Sequence, residues 1–207
     1  MKKVLMTLLI VSMLVLPLGS VALAENTETS HPEVTDFVPG TVPAQTSSWE
    51  AMTPAIHAAL LAALNHDAAA FSADDEVLAW EGLYNMLSMY GQMDDRAEYQ
   101  DDLLILPSET IYDYAAALLD SFSPAGVPEA LADRIVYDEE TDCYQVVCGS
   151  DDLSELVLDP AQEADGQVIL TGALRYVVDG TPLARFQAVL VPQDNMFGCF
   201  LASLELA

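Results

Sequence analysis

The sequence predicts an α+β protein: about three N-terminal helices packed on one face of a curved antiparallel sheet of about six strands. Two observations predict it. Between Trp49 and Leu119 apolar residues recur at helical spacing. From Ile135 onwards, most clearly over Gly166 to Ala207, they alternate in twos.

In the closing stretch, Val168, Leu170, Gly172, Leu174, Tyr176 and Val178 fall on even positions, with Thr171 and Arg175 between them. Such alternation marks a strand with one buried face. Asp179-Gly180 supplies a turn, since both residues tolerate positive φ. The next strand, Leu183 to Val191, puts Phe186, Ala188 and Leu190 on even positions. A two-residue turn would pair even with odd and set Phe186 beside Arg175. A three-residue loop with Gly180 left-handed keeps Leu174 and Phe186 on one face, and is the loop expected here. Pro192 to Asn195 turns the chain again, into a last strand from Met196 to Leu206.

Earlier elements follow in order. Lys2-Lys3, the apolar run Val4 to Leu16 and Ala22-Leu23-Ala24 read as a cleaved secretory signal over residues 1–24, with a retained anchor as the alternative. The run is short for a membrane span, and no second long one follows. Residues 25–48, with Pro32, Pro39, Gly40 and Pro43 among polar residues, read as a disordered linker. One α+β domain is expected over 49–207, helical over 49–122 and a β-meander over 133–207.

The first helix is expected near Trp49, capped by Ser47-Ser48, with Pro54 in its first turns and Ile56, Leu60, Leu61 and Leu64 on one stripe. In the second, Ser72 caps and Asp75 answers it in a capping-box-like pair. Val77, Trp80, Leu83, Tyr84, Leu87 and Tyr90 make its stripe, and Gly91 ends it. That stripe is either core or the lining of a ligand pocket, with Trp80 and Tyr84 as the lining residues. Leu103 to Leu106 is a short apolar run. Pro107-Ser108-Glu109 opens a third helix with Ile111, Ala115, Leu118 and Leu119 inward. Ser121 to Pro128 is a hinge. Ile135 to Tyr137 and Cys143 to Cys148 form a hairpin, and Glu155 to Leu158 is a further apolar run.

Charge restricts the partners. All 33 Asp and Glu follow Ala24, against four Arg and no Lys, a formal −29 for the exported chain. Such a surface repels nucleic acid and anionic lipid. It fits plain solubility, or a cationic partner. Weak calcium binding stays open, because carboxylates cluster at Asp94-Asp95, Glu98 and Asp101-Asp102, at Asp138 to Asp142, and at Asp151-Asp152. None of these clusters matches an EF-hand loop.

Cys143, Cys148 and Cys199 are the disulfide candidates of an exported chain. Cys143 and Cys148 have opposite parity on one strand and are not expected to bond to each other. A bridge from either to Cys199, or three buried thiols, are the two readings.

Catalytic chemistry finds no motif. His31, His57 and His66 are the only histidines, and no G-x-S-x-G, H-E-x-x-H or Gly-rich phosphate loop is present. No cofactor is indicated. An acid pair acting as catalyst is not singled out among so many carboxylates.

The segment Tyr137-Asp138-Glu139-Glu140-Thr141-Asp142-Cys143-Tyr144 follows a capped helix and a Pro-rich hinge. It resembles a hairpin of uncharacterised secreted or lipoprotein-type domains of Gram-positive bacteria. The layout from Trp49 to Ala207 is similar to cystatin-like and nuclear-transport-factor-two-like cones, and to secreted inhibitors of cell-wall DL-endopeptidases. The resemblance implies a curved sheet wrapped on helices, with a pocket between them. It carries over no functional residue.

Two functions are therefore expected to compete. One is a non-catalytic secreted domain that binds a protein or peptide partner at the cell envelope. The other is a cone with a pocket for a small apolar ligand, as a binding protein or an enzyme. A deep pocket between the sheet and the Trp80-Tyr84 helix would favour the second. A filled core beside an exposed apolar patch ringed by acids would favour the first.

Overall fold

The computed structural model describes residues 48–119, 122, 126–149 and 153–207. The expected signal, nearly all of the expected linker, much of the Ser121 to Pro128 hinge, and Asp151-Asp152 lie outside them. A 3-10 turn, Ser48–Met52, leads into α1 (Thr53–Asn65). Then come β1 (Ala70–Phe71), α2 (Glu76–Tyr90), β2 (Glu98–Gln100), β3 (Leu103–Pro107) and α3 (Ser108–Ala115). After a 3-10 turn at Glu129–Leu131 the remaining elements are strands: β4 (Ile135–Asp138), β5 (Cys143–Val147), β6 (Ser154–Leu158), β7 (Gln162–Ala164), β8 (Gln167–Tyr176), β9 (Pro182–Pro192) and β10 (Cys199–Leu206).

The class is α+β with antiparallel pairing throughout, as expected. Its strands are shared between two sheets. The first has six strands, in the order β1-β10-β9-β8-β6, with β7 also on β8. The second has four, in the order β2-β3-β5-β4. The stretch expected to be helical thus also carries β1, β2 and β3. β1 and β2 are too short to show a period of two, and β3, apolar at every position, reads from sequence only as an apolar run.

The helices join the sheets. α1 packs on α2 and, at β1 and β10, on the first sheet; α2 packs on β5 of the second. Contact on both sides explains why burial goes nearly all round. In α1, Ala55, Ile56, Ala58, Ala59, Leu60, Ala62 and Ala63 are all inaccessible, while Leu61 and Leu64 of the expected stripe are only half-buried. Small alanines let the neighbouring elements approach this helix closely. Burying Ile56, Leu60, Leu83 and Leu87 contributes about 1.5–3 kcal/mol each.

Helix ends depart from expectation in three places. Pro54 sits at the start of α1, so the chain from Ser48 makes a 3-10 turn first. The cap of α2 is Asp75, whose Oδ1 accepts from Leu78 N at 3.1 Å, while Ser72 Oγ accepts from Asp74 N one turn earlier. Gly91 does follow α2, but with φ −60°. Close approach explains it: an added Cβ would lie 3.0 Å from Leu104 Cδ2 of β3.

The β8–β9 loop corrects the expected loop length. Tyr176 O accepts from Gly180 N, and Tyr176 N donates to Thr181 O, so four residues, not three, span the turn. Gly180 is left-handed, with φ 72°. A four-residue loop alone would pair even with odd. The register shifts at Leu174/Arg175 and skips Leu183, which restores even-to-even pairing: Gly172 faces Phe186 and Leu174 faces Ala184. Leu174 and Phe186 are therefore both buried on one face, with a bulge rather than a three-residue loop keeping them there. A second shift, at Leu201/Ser203, lets Leu201 and Leu204 both point inward.

Candidate functional site

Trp80 and Tyr84 lie in the core between α2 and the second sheet. Trp80 meets Phe122 edge-on at 5.1 Å and Tyr144 at 6.5 Å. Tyr84 donates its hydroxyl to Val147 O at 3.3 Å and carries the Arg134 guanidinium 4.9 Å above its ring. That guanidinium forks onto Glu81, Nη1 to Oε1 at 3.0 Å and Nη2 to Oε2 at 2.7 Å. Burial raises the Tyr84 pKa and the fork raises that of Arg134, so the phenol stays neutral and the arginine charged. This interface is filled by its own side chains.

An apolar hollow lies elsewhere, along β4. A groove of about 510 Å³ is lined by Gly126, Val127, Ala132, Ile135, Val136, Tyr137 and Glu139. β4 is the last strand of the second sheet. Its period-2 pattern buries Ile135 and leaves Val136 49% exposed. The segment before β4 supplies the opposite wall. The chain lining the groove also carries the exposed acids Glu129, Asp133, Glu139, Glu140 and Asp142.

The β4–β5 turn is tied together by its own side chains. Asp138 accepts from Glu140 N and from Thr141 Oγ1, both at 2.9 Å, and these bonds hold its carboxyl below the usual range. Asp142, left-handed at φ 52°, accepts from the Tyr137 hydroxyl at 2.8 Å. Tyr137 also rests on Tyr144 at 4.8 Å. The Asp142 bond, then burial, then the charges of Asp142 and Glu139 raise the Tyr137 pKa: the ring sits in a negative field.

One nucleophile does meet a base. His57 Nε2 is 3.0 Å from Ser154 Oγ, and His57 Nδ1 is 2.6 Å from the Tyr90 hydroxyl. The two partners lie 97 and 33 residues away, which no sequence spacing reveals. A phenol is a stronger donor than an aliphatic hydroxyl. The favoured arrangement has Tyr90 donating to Nδ1 and Nε2–H donating to Ser154. In that tautomer His57 has no lone pair to take the serine proton, and the trio links α1, α2 and β6.

Cys143 opens β5 of the second sheet, Cys148 follows its end, and Cys199 opens β10 of the first, where it is inaccessible; all three are thiols. Burial, then Asp102, raises the Cys148 pKa, which weakens it as a nucleophile. Among the described residues no group of three His, Cys, Asp or Glu converges as a metal site. Asp94, from one acidic cluster, is committed to Arg96. No described helix is long and apolar enough to cross a membrane.

The sequence named Trp80 and Tyr84 as pocket lining, and neither lines the groove. Of the groove residues, Ile135, Val136, Tyr137 and Glu139 stood in the expected hairpin and Gly126 and Val127 in the expected hinge, but nothing in the sequence brought the two segments together. No protein-family model matches the chain, and no curated protein matches it.

Proposed function

We propose that this is a non-catalytic exported domain that binds a protein or peptide partner at the cell envelope, through the groove beside β4. The observation that carries it is an apolar groove on a terminal strand, with Glu139 in its lining, in a chain of formal charge −29 after the expected cleavage. An end strand with an apolar wall accepts an extended segment. The acidic field steers a cationic one toward it and lowers affinity for anionic competitors. The packing of Trp80 and Tyr84 speaks against the alternative, a small apolar ligand held between α2 and the sheet.

Capture from the host's own envelope fraction tests this, at low and raised salt, with wild type and Val136→Lys. Val136 is exposed, so the lysine obstructs the groove without disturbing the core. The expected result is one stoichiometric partner, released by salt and absent with Val136→Lys. A partner held equally by Val136→Lys, or none at either salt, would overturn the reading.

A further inference from the structure

We infer that the groove recognises an arginine side chain of its partner, through two of its lining residues, Tyr137 and Glu139; this rests on the partner-binding reading above. The molecule already contains the arrangement. Arg134 lies over the Tyr84 ring and forks onto Glu81. The groove presents the same two partner types to its contents, a tyrosine ring and a glutamate.

Both are prepared for the task. The Tyr137 ring is held by Tyr144 behind it and by Asp142 at its hydroxyl, so its orientation is set before anything binds. Glu139 is exposed and makes no ion pair or side-chain hydrogen bond with the rest of the described protein. A guanidinium lying on the ring would meet the negative face of its π-system and place its forked N–H groups toward the carboxylate. The rest of the lining is Gly126, Val127, Ala132, Ile135 and Val136, an apolar wall suited to the methylene stem of the same side chain. Arginine fits better than lysine, because a planar head stacks on the ring while its N–H groups reach one carboxylate.

The test uses N-acetyl-arginine N-methylamide and its neutral isostere, N-acetyl-citrulline N-methylamide. Each is titrated at millimolar concentration into ¹⁵N-labelled protein and followed by chemical shift. Arginine should shift Val127, Val136, Tyr137 and Glu139, and citrulline should not. Glu139→Gln should weaken the arginine response about 3- to 5-fold, and Tyr137→Leu by a similar factor. Tyr137→Phe, which keeps the ring, should retain most of it. Equal response to citrulline, no shift at these residues, or indifference to Glu139→Gln would overturn the inference. A captured partner that is lost with Val136→Lys but unaffected by Glu139→Gln would refute the arginine while leaving the groove. A partner unaffected by Val136→Lys would refute the groove itself.

Discussion

Arg134 and Glu81 form a two-bond fork between the start of β4 and the middle of α2, with the Glu81 side chain only 5% exposed. The pair thereby fixes the groove-bearing strand to the helical layer. Removing the arginine leaves the buried Glu81 carboxylate with the His66 ring, 3.9 Å away, in place of a permanent cation. Arg134→Ala should cost about 2–3 kcal/mol in urea unfolding, less than for a fully buried pair because the arginine is one-third exposed. The double variant Arg134→Met/Glu81→Leu should recover most of that loss. A double variant as unstable as the single would show that the fork matters for more than charge compensation.

His57 tests whether any serine chemistry is present. Long-range ¹⁵N–¹H spectra should show the proton on Nε2 and an unprotonated Nδ1. The opposite tautomer would make Nε2 an acceptor for the Ser154 proton and reopen a nucleophilic role. His57→Ala removes both bonds and should destabilise by about 1–3 kcal/mol.

Much of this was written in local pattern, and the remainder depends on distance along the chain. The class, the α2 stripe, the β4–β5 hairpin and the even-numbered face of β8 and β9 all rest on spacing within a few residues. The partition into two sheets does not. β3 pairs with β5 about forty residues on, and nothing in Leu103 to Leu106 names that partner. Parity put Leu174 and Phe186 on one face, yet it attributed this to the loop when a bulge at Leu183 was responsible. The groove was hidden for a similar reason. Its walls are ordinary small apolar residues, given meaning only by β4 lying at the end of its sheet.

Gly172 measures how tightly β6 and β8 meet. A Cβ there would collide with the Val157 carbonyl oxygen and stand 3.0 Å from Phe186 Cε1. The backbone oxygen cannot swing away as a side chain can. Gly172→Ala should cost about 2–3 kcal/mol by thermal or urea unfolding. Gly82→Ala meets only the Phe71 ring, which can tilt, and should cost less. The reverse order would contradict the pairing of β6 with β8 described here.

Asp94 supplies a pH signature. Its hydrogen bonds to Arg96, side chain first, hold its carboxyl below the usual range near 3.8. A carboxyl depressed by folding contributes stability above its unfolded pKa and loses it as pH falls through the folded value. Wild type should lose stability relative to Asp94→Asn only below about pH 4. At pH 7 the variant should be less stable by about 1–2 kcal/mol. A difference that did not shrink in acid would mean the loss comes from packing rather than charge.

Hydrogen exchange of the protein, alone and with its captured partner, asks most directly where binding occurs. Amides of Val127 and of Ile135 to Glu140 should slow when the partner is present, and those of Val177 and Val178 at the β8–β9 hairpin should not change. Protection confined to that hairpin, with the groove amides unaltered, would contradict the groove as the binding site.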